Sequence, residues 1–457
     1  MNLNIEMTQE FHHRVKRDPS GFIGAIGEVN KIILDDELEF SGKKLPFSMQ
    51  PLLVTSKESD YFKEVTELIS NSLEKLLDAY VKDMSIREFF SHYKDYEELI
   101  LIDPGYKKKV RISRYDTIWN GEDDFKILEC NTCCPGGVVV LGSLKNKYIE
   151  TPYMQKVLDK YENKSFLCDT PEGFLFELES AYREYGGLKK YPTIAFAKYN
   201  GKYNYELTHM KRFAEQAGFE AVICDLTELK LEDDKLFYQD ISIDIIYNKV
   251  DQLELGKDDM KDVINAIKLK KVCSVNSYLS MFIGESKMCL ALLTNKIFQK
   301  KYLSNKEIQA INKHIPWTRK LEDTETDYKS ININTLEFAK LNKDSLVLKV
   351  DNETRGSNVY LGHACTQEEW NKLIFDHKNS NWIIQEYSKV PQIRVPVNQR
   401  GYVEFTDKKF GIDMFMFGGR YAGVVSRISD KNIINVGQGG FEQPVLEISN
   451  VNERLLI

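Results

Sequence analysis

Two short stretches of this chain bring together residue types suited to holding a hard metal ion. Asp116, in Arg114-Tyr115-Asp116, and Glu129-Cys130-Asn131 lie on either side of Asn120-Gly121. Asn-Gly between alternating apolar runs is a strong hairpin signal. If the runs 111–119 and 125–130 pair as antiparallel strands, alternate side chains share a face. Asp116 and Glu129 then converge, with Asn131 on the Glu129 side. Two carboxylates and an amide oxygen are the hard oxygen donors that Mg²⁺ takes, phosphate oxygens completing the shell, and they suit a pair of such ions. Acids flanking a hairpin are also commonly just solvated. Glu129 differs in following an apolar strand and preceding a Pro135-Gly136-Gly137 break.

A second kind of chemistry is suggested near Lys349. This lysine ends the apolar run 346–348 and is followed by Arg355, Gly356 and Ser357. An ammonium and backbone N–H groups so placed can sit on phosphate oxygens, and Arg355 adds a further cation. A surface hairpin with an ordinary lysine reads the same way. Three more windows are ambiguous alone. Gln385-Glu386-Tyr387 follows an apolar run, Lys287 stands at an expected helix start, and Arg427 precedes Gly437, Gly439 and Gly440. Such a glycine run is either a turn or a close backbone approach to a ligand. Cys130, Cys133 and Cys134 lack a second cysteine pair or nearby His, so they read as buried or loop thiols rather than zinc ligands.

The elements that must position these groups follow from periodicity. Residues 58–92 repeat apolar side chains at three- and four-residue steps and predict helix. Runs at 99–102, 111–119 and 125–130 predict strands. From 188 to 280 the texture is α/β, with strands at 191–197, 219–226 and 243–250 and a helix over 205–218 closed by Gly218. A helix over 285–301 comes next, then strands at 345–350, 359–361, 382–386, 401–405, 409–417 and 421–428. The fold class is α+β with an α/β segment inside it. The expected division is a mainly helical 1–94, the hairpin region 95–150, an α/β domain over 151–284 and a last domain over 285–457.

Bulk properties exclude several function classes. The 457 residues carry a net charge of -7, which leaves no general nucleic-acid footprint. No apolar stretch approaches the roughly 20 residues needed to span a bilayer. The polar, mixed-charge start is no signal peptide. With eight cysteines and no export signal, reduced thiols and a cytoplasmic location are expected.

The order of these windows resembles the circularly permuted branch of the ATP-grasp ligases, which includes the synthetase part of glutathionylspermidine synthetase. There an Arg-aromatic-Asp strand precedes a Glu-x-Asn strand followed by Pro, and the phosphate-covering loop comes later. The resemblance implies a permuted ATP-grasp fold with an α/β pre-ATP-grasp domain over 151–284 and ATP-binding in 285–457. It implies Asp116, Glu129 and Asn131 as magnesium ligands, and Lys287, Lys349, Arg355, Gly356, Gln385, Glu386 and Tyr387 as the ATP site. Arg114 and Arg427 become the groups that steady the acyl-phosphate. The loop departs from the family pattern, since only Gly356 stands where a glycine-richer run is usual. The activity implied is ADP-forming ligation of a small carboxylate to an amine, with amino acid, peptide, polyamine or carrier-bound substrates. The alternative is an ATP-grasp-like module that binds nucleotide without turnover.

Overall fold

A computed structural model describes residues 3–40, 42–200, 205–351 and 358–450. Its centre is an antiparallel sheet whose strands come from opposite ends of the chain. In spatial order these are Phe441–Gln443, Arg420–Ser429, Tyr402–Phe417, Ile112–Trp119 and Phe125–Asn131. The hairpin expected around Asn120-Gly121 is present, and Gly121 takes a positive φ of 101° that favours glycine. Its register sets Asp116 directly opposite Glu129, then shifts so that Thr117 faces Ile127. Leu128 is thus the extra residue of a β-bulge, a device that re-aims neighbouring side chains.

The runs 401–405 and 409–417 are one strand, Tyr402–Phe417, not two. Its first half forms a two-stranded ribbon with Gln392–Gln399, and only its second half enters the central sheet beside Ile112–Trp119. The polar Thr406-Asp407-Lys408 reads as a break in sequence because the ribbon there has no apolar layer to face. The ribbon partner 392–399 was not expected.

One side of the hairpin is backed by the helix Ser56–Lys82, begun by a capping box between Thr55 and Glu58. Phe62 on this helix is fully buried, and its ring meets Trp119 and Phe125 edge-on, each at 5.5 Å. Removing it leaves a cavity beneath both strands of the hairpin. Phe62→Ala should therefore cost about 3–5 kcal/mol, read as a lowered urea midpoint at unchanged slope.

The α/β texture at 188–280 is a four-stranded parallel sheet in the order Cys273–Val275, Ile245–Asn248, Ile194–Lys198, Ala221–Asp225. Asn276, buried at its edge, ties this sheet to the hairpin. Its Oδ1 accepts from Arg111 and Ile112 N–H at 2.7 and 2.9 Å, and its Nδ2 donates to the Ile112 and Thr132 carbonyls, both at 2.7 Å. A second four-stranded sheet, Thr318–Lys320, Trp382–Glu386, Leu346–Val350 and Val359–Leu361, has its own apolar core around Trp370 and Trp382. The N-terminal helices Leu3–Arg17 and Pro19–Asp35 share a further core with residues 144–161 and 446–448.

Two more sequence expectations need correction. Residues 99–102 are no strand: Glu97–Ile100 is a short helix, and a four-residue apolar run cannot distinguish the two. The helix expected over 285–301 is broken into Met288–Leu293 and Lys296–Tyr302, where Asn295 caps the second piece through its side chain.

Candidate functional site

The central sheet and the second antiparallel sheet face each other across a cleft of about 160 Å³. The sheet register explains what lines its floor. Glu129, Asp116 and Asp413 are opposed in turn on neighbouring strands, and Arg427 lies opposite Gly411 one strand further. Directly opposed residues of antiparallel strands point to the same face, so the four charged side chains converge. Gly411 leaves space at the point where Ile434 comes down, 3.6 Å from where a Cβ would stand. The roof carries Lys349, Gln385, Glu386 and Tyr387.

The floor is a paired charge network. Asp116 accepts from Arg114 Nε at 2.9 Å and Nη2 at 3.2 Å, from Arg427 Nη2 at 2.7 Å and from Asn131 Nδ2 at 2.8 Å. Burial pushes the Asp116 carboxyl up, but the Arg114 and Arg427 guanidinium groups outweigh it and hold the group well below the usual range. The same Arg427 Nη2 donates to Asp413 Oδ1 at 2.7 Å. Asp413 goes the other way: burial raises its pKa, with Arg427 opposing only in part. Arg427 Nε is buried with no hydrogen-bond partner among the described residues. It is a fixed donor with nothing yet to donate to.

Glu129 stands apart from this network, its Oε2 3.4 Å from Lys287 Nζ. Lys287 is buried, and its Nζ also lies 3.3 Å from the Asp351 carbonyl. Burial lowers the Lys287 pKa, yet Glu129 and Asp351 together carry it above the ordinary lysine value. Lys349 Nζ donates to Gln385 Oε1 at 2.7 Å and approaches the Leu128 carbonyl, exposed by the bulge, at 3.4 Å. Burial depresses this ammonium to about 8. Glu386 accepts from Tyr328 and Lys329 at 2.9 and 3.0 Å. The backbone N–H groups of Glu386 and Tyr387 are already bonded to the Trp317 and Ser345 carbonyls.

Of the residues singled out in sequence, Asp116, Glu129, Lys349, Gln385, Glu386, Tyr387 and Arg427 line the cleft. Arg114, Asn131 and Lys287 touch those that do. Arg355 and Gly356 fall outside the described residues. Gly437, Gly439 and Gly440 do not line the cleft: Gly439 turns the chain at φ 95° and Gly440 packs against the Asn435 and Ile428 carbonyls, setting Asn432–Asn435 over the cleft.

Sequence reasoning missed Asp413, a lone acid inside the apolar run Ile412–Phe417, where an unpaired charge would be costly. It also missed two supports. Glu285, raised to about 7 by burial, accepts from the Thr132 and Cys133 N–H groups and fixes the turn after Asn131. Asp351, fully enclosed, accepts from Ser286 at 2.8 Å, from the Met288 N–H at 3.1 Å and from His92 at 2.9 Å. It thereby locks the strand bearing Lys349 to the segment bearing Lys287.

The donor set fits a hard divalent cation at one end of the cleft. Among the described residues Glu129 carries no hydrogen bond other than its approach to Lys287, and the Asn131 amide spends only its nitrogen, on the Arg114 carbonyl and Asp116. Asp116 has all its acceptor positions engaged by the four donors above. No group of three His, Cys, Asp or Glu suited to a metal occurs among the described residues, and no described helix is long and apolar enough to cross a membrane.

No protein-family profile matches this chain, and no curated protein matches it. Solved structures do. A glutathione synthetase-like effector from Globodera pallida, in its apo form, superposes with a TM-score of 0.60 at 13% identity, over 94% of this chain and 98% of the other. The two share a fold along nearly their whole lengths. A structure described as a gamma-glutamylcysteine synthetase from Methylobacillus flagellatus matches at TM-score 0.40 and 10% identity, over 83% of this chain and 88% of that one. D-alanyl-alanine synthetase A from Vibrio cholerae matches at 0.25 and 12%, over 57% and 90%. These last two likenesses are too loose to carry an argument.

Proposed function

We propose that this protein is an ATP-dependent carboxylate–amine ligase with the circularly permuted ATP-grasp arrangement, working through an acyl-phosphate and releasing ADP and phosphate. The observation that carries this reading is the cleft itself. Residues as far apart as Asp116 and Arg427 meet on one sheet, acids and arginines forming the floor, and a buried lysine faces them from the other sheet. The shared fold with a glutathione synthetase-like protein supports it.

In this reading the adenine lies against Val347, Leu361 and Tyr387, with Glu386 facing the ribose hydroxyls. Because the Glu386 and Tyr387 N–H groups are spent within the sheets, the ring edge is read by the run beginning at Ser388. Lys349 and Lys287 hold the phosphate oxygens, joined by Arg355 and Gly356 from the loop. Glu129 and Asn131, with Asp116 beside them, would hold Mg²⁺, which when bound would neutralise phosphate charge. The substrate carboxylate attacks the γ-phosphorus and ADP leaves. The amine then attacks the acyl-phosphate carbonyl, and phosphate departs. Arg427 Nε and Arg114 face the oxygen on which negative charge develops. Fixed donors aimed at developing charge are commonly the largest catalytic contribution.

Lys349 gives the reading a pH signature. Phosphate binds the ammonium form. Below pH 8 that form is already present and affinity is flat; above it, binding must take up a proton. ATP affinity should therefore weaken by about tenfold per pH unit above pH 8, and Lys349→Met should bind weakly with no such slope. Calorimetric titration with Mg-ATP between pH 7 and 9.5 measures both.

The direct test is incubation with Mg-ATP and pooled amino acids, short peptides and polyamines. Nucleotide hydrolysis that requires both a carboxylate and an amine supports the ligase. A magnesium-dependent thermal shift with ATP, but no turnover with any pool, favours a binding module instead.

A further inference from the structure

The central sheet continues one strand beyond Arg427, where Glu442 lines a small recess next to the cleft. Glu442, on the edge strand Phe441–Gln443, is the direct cross-strand partner of Arg427. Opposed Cβ atoms in such a ladder lie about 4.5–5.5 Å apart on one face. The backbone of Glu442 is held on both sides, its N–H donating to the Pro46 carbonyl and its carbonyl accepting from Ser48 N–H. Its carboxylate, by contrast, makes no hydrogen bond or ion pair among the described residues. Its cross-strand partner Arg427 instead turns its Nη2 to Asp116 and Asp413.

Around this carboxylate the charges are arranged asymmetrically. Arg427 and Arg114 attract it from the cleft side, while Asp413 and Glu206 repel it. Lys145 and Asp169 line the same small recess but pair with each other, and Glu206 is paired with Lys249 at 3.0 Å. Burial brings the Glu442 group to about 7. Glu442 is half-buried, and its carboxylate is left unpaired there. A structural counter-ion for Arg427 would be bonded to it, and this one is not.

We propose that Glu442 receives the acceptor amine, binding its cationic ammonium form next to Arg427 and taking the proton it must lose to become a nucleophile. The inference rests on the ligase reading and names the group that handles its second substrate. The ammonium gives one proton to the Glu442 carboxylate, and the free lone pair forms the C–N bond at the acyl-phosphate carbonyl. The C–O bond to phosphate breaks, phosphate leaves with the electron pair, and the remaining amine proton passes to solvent. The substrate class this selects is a primary amine that is cationic near neutral pH.

Hydroxylamine separates this role from the others, because near neutral pH it attacks acyl-phosphates as an uncharged nucleophile. Wild type and Glu442→Gln would be compared with Mg-ATP and pooled amino acids and short peptides as carboxylates, with either hydroxylamine or the pooled amines as acceptor. The proposal expects Glu442→Gln to form hydroxamate near the wild-type rate but to lose amide formation by about 100-fold or more, the scale of a general base. Glu442→Asp should recover part of that loss. Equal loss of both products, or loss of neither, overturns the proposal. An unchanged ATP-induced thermal shift in Glu442→Gln certifies an intact fold. A wild type that releases no ADP under either condition defeats the ligase reading, and this assignment with it.

Discussion

Glu129→Gln should abolish carboxylate- and amine-dependent ATP turnover, by about 100-fold at the least, while leaving the protein as stable as wild type. The large effect on activity follows from where Glu129 sits. Unlike Asp116 and Asp413 it is not consumed by arginines, and it faces Lys287 across 3.4 Å. In the ligase reading, converting it to an amide would remove the charge that a metal on a triphosphate requires, and several kcal/mol of transition-state stabilisation would go with the metal. The small effect on stability follows from the same isolation, since no buried partner is stranded except Lys287, which keeps the Asp351 carbonyl. Initial rates of ADP release and urea unfolding of the same preparation measure the two sides. A parallel fall in both would mean that Glu129 is a structural counter-ion.

Arg427→Met should do the opposite and damage both. Arg427 holds Asp116 and Asp413 through one nitrogen at 2.7 Å each. Removing one member of a buried ionic network leaves uncompensated charge and costs about 3–5 kcal/mol. Turnover should fall by a further 10²–10³-fold, roughly the value of one preorganised oxyanion donor, since Arg427 Nε has no other task. The two losses can be separated. Arg427→Met with Asp413→Asn neutralises the stranded acid and should recover much of the stability, because the residues are coupled. It should recover none of the activity. Recovery of both would reduce Arg427 to a scaffold.

The hairpin was legible in sequence because turn chemistry and period-two alternation agree there, but the register they set, with Thr117 opposite Ile127, would put Asp116 against Leu128, and the bulge brings Glu129 to that place instead. The strands bearing Lys349 and Glu386 were legible for a similar reason, as apolar runs bounded by polar residues. What could not be read was anything that depends on which distant segment lies alongside. Asp413 looks like a misplaced acid until Tyr402–Phe417 is set beside Ile112–Trp119. Glu442 means nothing until its three-residue strand is docked on Arg427. Asn276 and Asp351 carry no local signature, because their work is to join segments more than 60 residues apart. The bulge at Leu128, which exposes a carbonyl to Lys349, is likewise set by strand pairing rather than by residue type.

The measurement closest to the central claim is the nucleotide product formed during turnover. Purified protein would be incubated with Mg-ATP, a carboxylate pool and an amine pool, and the nucleotides separated, with Glu129→Gln run alongside. An acyl-phosphate route in this cleft predicts ADP and inorganic phosphate, dependent on both pools and absent from the variant. AMP and pyrophosphate would mean adenylation of the carboxylate and would contradict the mechanism. ADP release that ignores both pools, or survives Glu129→Gln, would contradict the assignment of the site.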